Sequence, residues 1–179
     1  MLMLPGAFEL FKVVFQQDRK RNPRLVSSFI LTEMYTFLKE KKCKYTELPV
    51  EIDFISQCLD LLQSDQITEG VAFDLLELRA SGDGRKALEI VQKNKWTKVI
   101  EQELVHELVR KAIELEPYYS SMYAKKTKKF ALNQILLRLD VIGRKTVSRA
   151  VACPLIDQFL RKLQADTKTI SERRNQINK

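Results

Sequence analysis

The chain has 179 residues, and 45% of them are hydrophobic, a share that excludes general disorder and supplies a sizeable core. Its apolar runs are short and interrupted by charge, which predicts a soluble protein without a membrane span, and its three cysteines are too widely spaced to signal a disulfide framework or a zinc site. The net charge is +8, yet residues 1–116 hold 17 basic and 19 acidic residues, whereas residues 117–179 hold 14 basic and 4 acidic ones. This concentration of positive charge in the last third predicts a polyanionic partner, above all nucleic acid.

The first 98 residues are predicted to form the larger of two helical lobes, because their apolar residues recur at helical intervals. Asn22 is suited to cap a helix that opens with Pro23. Thr68 is suited to cap a later helix, which the glycine pair at 82 and 84 ends. The predicted helices cover about residues 5–17, 23–41, 49–63, 68–81 and 85–93. The inner positions of the second helix are predicted to be Leu25, Phe29, Thr32, Met34 and Phe37.

The segment KNKWTK, residues 93–98, is predicted to separate this lobe of residues 1–98 from a smaller helical tail lobe over residues 99–165. Pro117 ends the first tail helix, and Pro154 is predicted to open the last one. The apolar stripes of the three tail helices are Leu104, Leu108, Val109 and Ala112, then Leu132, Ile135, Leu136 and Leu139, then Leu155, Phe159 and Leu163. Residues 166–179 have almost no apolar side chains and are predicted to be a flexible polar C-terminus. The predicted fold is therefore all-α and two-lobed.

The stretch SSMYAKKTKKFALNQILLRL, residues 120–139, would set lysines on the helix side that carries its leucines. Lys125, Lys128 and Lys129 project over the same side as Leu132, and they cannot all be buried there. The helix is therefore predicted to begin near Lys128 or Lys129, after YAKKT as a loop or first turn. Lysines beside the unpaired N–H groups of a helix N-terminus are suited to bind phosphate. The alternative is a solvated charged turn with no ligand.

A second basic group follows in the loop VIGRKT, with Arg149 just beyond it. Three tyrosines, at 118, 119 and 123, lie beside the lysines, and aromatic rings interleaved with cations suit exposed nucleotides. The alternative for these rings is packing, with at least one of the three in the core. The predicted nucleic-acid contacts are Lys125, Lys126, Lys128, Lys129, Arg144, Lys145, Arg149 and Tyr123.

No catalytic or metal-binding residue is predicted. The single histidine, His106, lies between two glutamates of a helix and is not visibly paired with a serine or cysteine. The sequence GDGRK has two glycines but lacks the spacing and the preceding strand of a phosphate-binding loop. The carboxylates of the first lobe fit solvated helix faces, so we predict no active site in this chain.

Three stretches resemble the C-terminal region of the B subunits of aspartyl/glutamyl-tRNA amidotransferases, the GatB/YqeY family. They are NPRLVSSFILTEMYTFLKE, then LDLLQSDQITEGVAFDLLELRASGDGRKALEIVQKNKW, then ELVHELVRKAIELEPYYSSMYAKKTKKFALNQILLRL with PLIDQFLRKL. The resemblance covers about residues 7–164, and the middle stretch carries it best because order, spacing and turn chemistry agree. The lysine-rich KKTKK replaces a glycine turn of the family, ILLRL replaces its Gly-Gln-x-Met pattern, and VIGRKTVSRAVAC is longer than the usual loop. Such departures are typical of a divergent, organellar member.

The resemblance implies a helical lobe followed by a tail lobe that grips tRNA, in an enzyme that converts misacylated glutamyl-tRNA to glutaminyl-tRNA. It also implies that ATP, Mg and glutamine are used by parts of the enzyme that this chain lacks, so that no cofactor and no catalytic residue is expected here. The expected partners are tRNA and the other amidotransferase subunits. The expected location is mitochondrial, or otherwise a bacterial or organellar soluble compartment.

Two other functions stay open. One is a helical protein-interaction module that docks on partner subunits, with the basic tail serving solubility. The other is a free-standing YqeY-like protein without its own nucleic-acid role, against which the first 48 residues count, because they resemble the continuation of a larger B subunit. A small enzyme is disfavoured, since the sequence shows no pair of nucleophile and base.

Overall fold

The computed structural model describes residues 5–123 and 128–177, with side chains as far as residue 163 and at 165. Within these ranges the regular structure is entirely helical, which confirms the predicted all-α class. The chain divides into two compact units, Met1–Lys98 (unit 1) and Val99–Lys179 (unit 2). This division lies where KNKWTK was predicted to separate two lobes, and the side chain of Trp96 packs against the core of unit 1.

Unit 1 is built from helices joined by short turns. In chain order its described helices are α1 (Ala7–Gln17), α2 (Pro23–Phe29), a π-helical turn (Ile30–Met34), α3 (Tyr35–Lys41), α4 (Ile52–Gln63), α5 (Glu69–Ala80) and α6 (Ala87–Asn94). The predicted caps are confirmed, because the Asn22 side chain accepts a hydrogen bond from the Arg24 N–H at 2.9 Å and the Thr68 hydroxyl accepts one from the Val71 N–H at 3.2 Å. Such caps satisfy N–H groups that the first helical turn leaves unpaired.

The π-helical turn changes which residues of the second predicted helix face the core. Ile30 and Met34 are buried, whereas Thr32 is exposed, so its predicted inner position is wrong. The Thr32 hydroxyl instead donates to the Ser28 carbonyl one turn earlier, at 2.7 Å. The buried Tyr45 hydroxyl donates to the Ile30 carbonyl at 2.5 Å, so the wider turn is held by a side chain from the following connection.

Unit 2 contains α7 (Gln102–Leu115), α8 (Pro117–Met122), α9 (Lys128–Ile142) and α10 (Arg149–Ile177). Its core contains Val109 and Ala112 of α7, Ile135 and Leu139 of α9, and Ile156 of α10. The sequence does not predict α8, because Pro117, taken as the end of α7, also opens this short helix.

The last helix begins at Arg149, so the predicted start at Pro154 is wrong. Pro154 lacks an N–H to donate to the carbonyl four residues earlier, but the helix continues through it because Ala152, Ile156 and Leu160 form one buried stripe on both sides of it. Of the predicted stripe, Leu155 and Phe159 are partly buried and pack against the core of unit 2, whereas Leu163 is exposed. The helix runs on to Ile177, through a stretch that was predicted to be flexible and whose Lys, Glu, Arg and Gln residues have a high intrinsic helix propensity.

Candidate nucleic-acid interface

The first basic group lies at the start of α9. Lys128 and Lys129 are the first described residues of α9, and both side chains are exposed; residues 124–127 lie outside the described part of the chain, so the start of regular helix near Lys128 or Lys129 stays a prediction. Lys125 and Lys126 lie outside the described residues. The described part of the group therefore places two lysines toward the N-terminal end of α9, where the helix dipole disfavours cations and favours anions.

Lys128 is held by contacts within unit 2. Its Nζ lies 5.4 Å from the centroid of the Tyr123 ring, a distance suited to a cation–π interaction. The Tyr123 hydroxyl donates to Asp157 of α10, and the second Asp157 oxygen pairs with Arg161 at 2.7 Å. Part of the Lys128 charge is thus balanced locally, so Lys129 is the more available cation of the two.

Tyr123 is a core residue. Its side chain is only 5% exposed, which contradicts the prediction that its ring stacks on a nucleotide and agrees with the packing alternative. Burial, followed by the bond to Asp157, raises the pKa of Tyr123 to about 12. The same bond, together with Arg161, lowers the pKa of the Asp157 carboxyl. The pair therefore stays a neutral hydroxyl donating to a carboxylate, and it fixes the end of α8 against α10.

The second basic group lies in the connection between α9 and α10. Arg144 is exposed, and both Arg144 and Lys145 have left-handed backbones, with φ of 50° and 59°. The Lys145 N–H donates to the Asp140 carbonyl at 2.9 Å, a bond that closes the end of α9 as in a Schellman motif. Arg149 forms an ion pair with Asp140, so its charge is partly balanced as well.

The two basic groups lie at opposite ends of α9 and do not form one cluster. A helix of 15 residues, at a rise of about 1.5 Å per residue, separates its ends by about 21 Å. This separation is more than twice the screening length of about 8 Å at physiological ionic strength. Any anion contacts of the two groups would therefore be electrostatically separate from each other.

Two residues of α9, Phe130 and Arg138, were not singled out from the sequence. Phe130 contacts the ring of Tyr119, and Arg138 pairs with Glu116 at 2.6 Å. Phe130 directly follows KKTKK, and this position was the only hint in the sequence. The contact of its ring with Tyr119 depends on α8, which the sequence does not predict. Arg138 lies on α9 between the two basic groups.

His106 is exposed on α7. The centroids of its ring and of the Phe159 ring lie 5.9 Å apart, in an edge-to-face arrangement. Across residues 5–123 and 128–163, no three His, Cys, Asp or Glu side chains are placed to hold a metal ion together. None of the described helices has the length and apolar character that crossing a bilayer requires.

A family model described as GatB domain matches residues 9–136. Three curated relatives, each named as the mitochondrial B subunit of a glutamyl-tRNA(Gln) amidotransferase, align with the chain. The protein of Naegleria gruberi is 26% identical over 116 residues, which are 63% of this chain and 23% of that protein. The proteins of Aedes aegypti and Homo sapiens are 22% and 26% identical over 84% and 81% of this chain, and 29% and 25% of their own lengths. The chain thus spans about a quarter of these relatives.

Proposed function

Because the chain belongs to the GatB domain family, we propose that it is the tRNA-binding part of an amidotransferase B subunit and that it positions misacylated tRNA for transamidation. The names of the relatives support glutamyl-tRNA(Gln) as the substrate of the whole enzyme and the mitochondrion as its location. The reaction itself, with ATP, Mg and glutamine, is proposed for the rest of the B subunit and for partner subunits. In this proposal the present chain contributes binding and orientation.

The observation that carries the proposal is the charge of residues 117–179, with 14 basic against 4 acidic residues. These residues include α8, α9 and α10, so the excess positive charge is a property of unit 2. A polyanion releases counterions when such cations meet its phosphates, and this release supplies most of the sequence-independent affinity for nucleic acids.

The placement of the cations favours a polymer over a single phosphate. Lys129 is exposed near the start of α9 and Arg144 is exposed just beyond its end at Ile142, and the helix between them is about 20 Å long. One phosphate cannot reach both positions, whereas a folded RNA presents phosphates over such a distance. Recognition in this proposal combines backbone charge with RNA shape, as is usual for structured RNA.

The test is a titration of a labelled tRNA(Gln) transcript with the full 179-residue chain at salt concentrations between about 50 and 200 mM. The double variant Lys129→Ala/Arg144→Ala should bind more weakly, and its log-log salt slope should fall by about 0.7–0.9 for each phosphate that the chain no longer binds. The matched control Arg24→Ala/Lys39→Ala removes two exposed cations from unit 1 and should leave the slope unchanged. Equal slopes for both variants and wild type would refute the proposal.

A second candidate function, docking on a partner protein, is favoured by one observation. Leu137 and Val141 are exposed on the side of α9 opposite its buried Ile135 and Leu139. Replacing both exposed residues with serine should then weaken association with partner subunits and leave tRNA affinity unchanged. The two functions can therefore be separated by variants on one helix.

A further inference from the structure

Three aromatic rings form a continuous surface where α8 meets α9. The ring centroids of Tyr118 and Tyr119 lie 5.3 Å apart, and those of Tyr119 and Phe130 lie 5.7 Å apart, with each pair near perpendicular. Tyr119 packs against the core of unit 2, whereas Tyr118 and Phe130 are 66% and 52% exposed. The middle ring thus anchors two outer rings that remain in solvent, and we call these three residues the aromatic platform.

Packing within unit 2 does not explain why both outer rings are large and apolar. The buried side of α9 is formed by Ala131, Ile135 and Leu139, and Phe130 contributes little to it. Exposed aromatic surface of this kind typically marks a contact site when it is contiguous. The platform is contiguous, because Tyr119 contacts both outer rings.

The charge beside the platform favours nucleic acid over protein as its occupant. Lys129 directly precedes Phe130 and is exposed, and Lys128 lies one residue further back in the same turn. Lysine is depleted at protein–protein interfaces, where aromatic residues are enriched. Sites for single-stranded nucleic acid combine both, since cations contact the backbone while bases stack on the rings.

We propose that Tyr118 and Phe130 stack on an unpaired base of the RNA, while Lys129 contacts a neighbouring phosphate. This inference rests on the proposed function and adds to it a preference for unpaired nucleotides. It replaces Tyr123, which is buried, with two rings that are accessible. The occupant is an unpaired nucleobase in a loop, bulge or single-stranded end, because such a base can leave the RNA stack and pack against a side-chain ring.

The test compares two probes, a tRNA(Gln) transcript and a blunt RNA duplex without unpaired bases, with the full chain as the binding protein. Tyr118→Ala and Phe130→Ala should each weaken tRNA binding by about 5- to 150-fold, the range expected for loss of one stacked base. Their salt slopes should stay at the wild-type value, because every phosphate contact is kept. Affinity for the duplex should not change.

Conservative and matched controls separate stacking from structure. Tyr118→Phe and Phe130→Tyr keep a ring at each position and should retain tRNA affinity. Tyr35→Ala removes an exposed tyrosine from unit 1 and should have no effect on either probe. Thermal unfolding of every variant should match wild type, because the outer rings are largely exposed.

Three results would overturn the platform. The first is wild-type tRNA affinity in both Tyr118→Ala and Phe130→Ala. If Lys129→Ala/Arg144→Ala still lowered the salt slope of tRNA binding in that case, the proposed function would stand without the platform. Equal losses on tRNA and duplex would also exclude a preference for unpaired bases. If the wild-type chain bound no tRNA at all, both proposals would fail together.

Discussion

In unit 1, Arg21 is 6% exposed, donates to the Val14 carbonyl at 2.7 Å and forms a two-bond pair with Asp60. In unit 2, Arg144 is exposed at the end of α9, in the region that holds the excess positive charge. The first arginine joins α1 to α4 and serves the fold, whereas the second has no buried partner among the residues that the structure describes. Both units are built from similar helices, so the difference shows that burial and pairing, not residue type, mark the arginine that serves the fold.

Unit 1 contains further structural pairs of the same kind. Arg79 donates to both oxygens of Glu51, at 2.7 and 3.0 Å, and to the Asp83 carbonyl at 2.8 Å. The bond to Glu51 raises the pKa of Arg79, and the same bond lowers the pKa of the Glu51 carboxyl. Glu51 is exposed and Arg79 is partly exposed, so solvent screens the pair and its contribution is mainly to orientation.

The largest effect is expected for Arg21→Met. This change leaves the Val14 carbonyl without its donor and Asp60 without its cation, and it should lower the free energy of unfolding by about 3 kcal/mol. This loss of free energy can be measured by denaturant unfolding, followed by circular dichroism and by the fluorescence of Trp96, the only tryptophan in the sequence. Arg144→Ala is the matched control and should change stability by less than about 0.5 kcal/mol. A similar loss in both variants would remove the distinction between the two units.

An intermediate effect is expected from a pair of glycines with different surroundings. A Cβ at Gly143 would lie 3.0 Å from the Leu139 carbonyl oxygen and 3.4 Å from Val147, whereas a Cβ at Gly84 would meet no atom within 4 Å. Gly143→Ala should therefore destabilise the protein by about 1–2 kcal/mol. Gly84→Ala should be neutral or stabilising by up to about 1 kcal/mol, because it restricts the unfolded chain. Thermal unfolding should show a lower midpoint temperature for Gly143→Ala and an unchanged or higher midpoint temperature for Gly84→Ala.

The smallest effect is expected from the two buried tyrosines, one in each unit. Tyr45→Phe leaves the Ile30 carbonyl without its side-chain donor and should cost about 1 kcal/mol. Tyr123→Phe should cost less, because its acceptor Asp157 is partly exposed and can bind water instead. Urea unfolding of both variants measures the difference, and a larger loss for Tyr123→Phe would contradict this order.

The same tyrosines predict how stability depends on alkaline pH. Burial raises the pKa of Tyr45 to about 12, and burial with the bond to Asp157 raises that of Tyr123 to about 12 as well. Since the unfolded value is about 10, the fold favours the neutral hydroxyls, and their contribution is complete below about pH 10 and lost as the pH rises through 12. Ultraviolet titration of tyrosinate should show two late-titrating groups, and each Phe variant should remove one of them.

Much of the fold follows from short-range patterns. Asn22 and Thr68 cap helices as predicted, because a cap depends on residues within one turn. The exposure of Lys128 and Lys129 was also predictable, because lysine side chains cannot be buried beside Leu132 without a partner. The start of α10 was not, since its stripe of Ala152, Ile156 and Leu160 became clear only from packing across Pro154.

The candidate site was predictable in charge but not in geometry. The basic excess of residues 117–179 is a matter of composition and needs no coordinates. The exposure of Phe130 and the burial of Tyr123 could not be inferred, because each depends on α8, a helix of six residues with no clear periodicity. The hydroxyl of buried Tyr123 donates a hydrogen bond to Asp157, which lies 34 residues away in the chain.

Helical class, caps and net charge were therefore encoded locally, within a few turns of chain or in composition alone, and the amino-acid order was enough to infer them. The choice of which aromatic ring faces solvent came from the packing of α8, α9 and α10. The physical reason is that burial results from contacts between distant segments, whereas helix formation and charge depend on near neighbours.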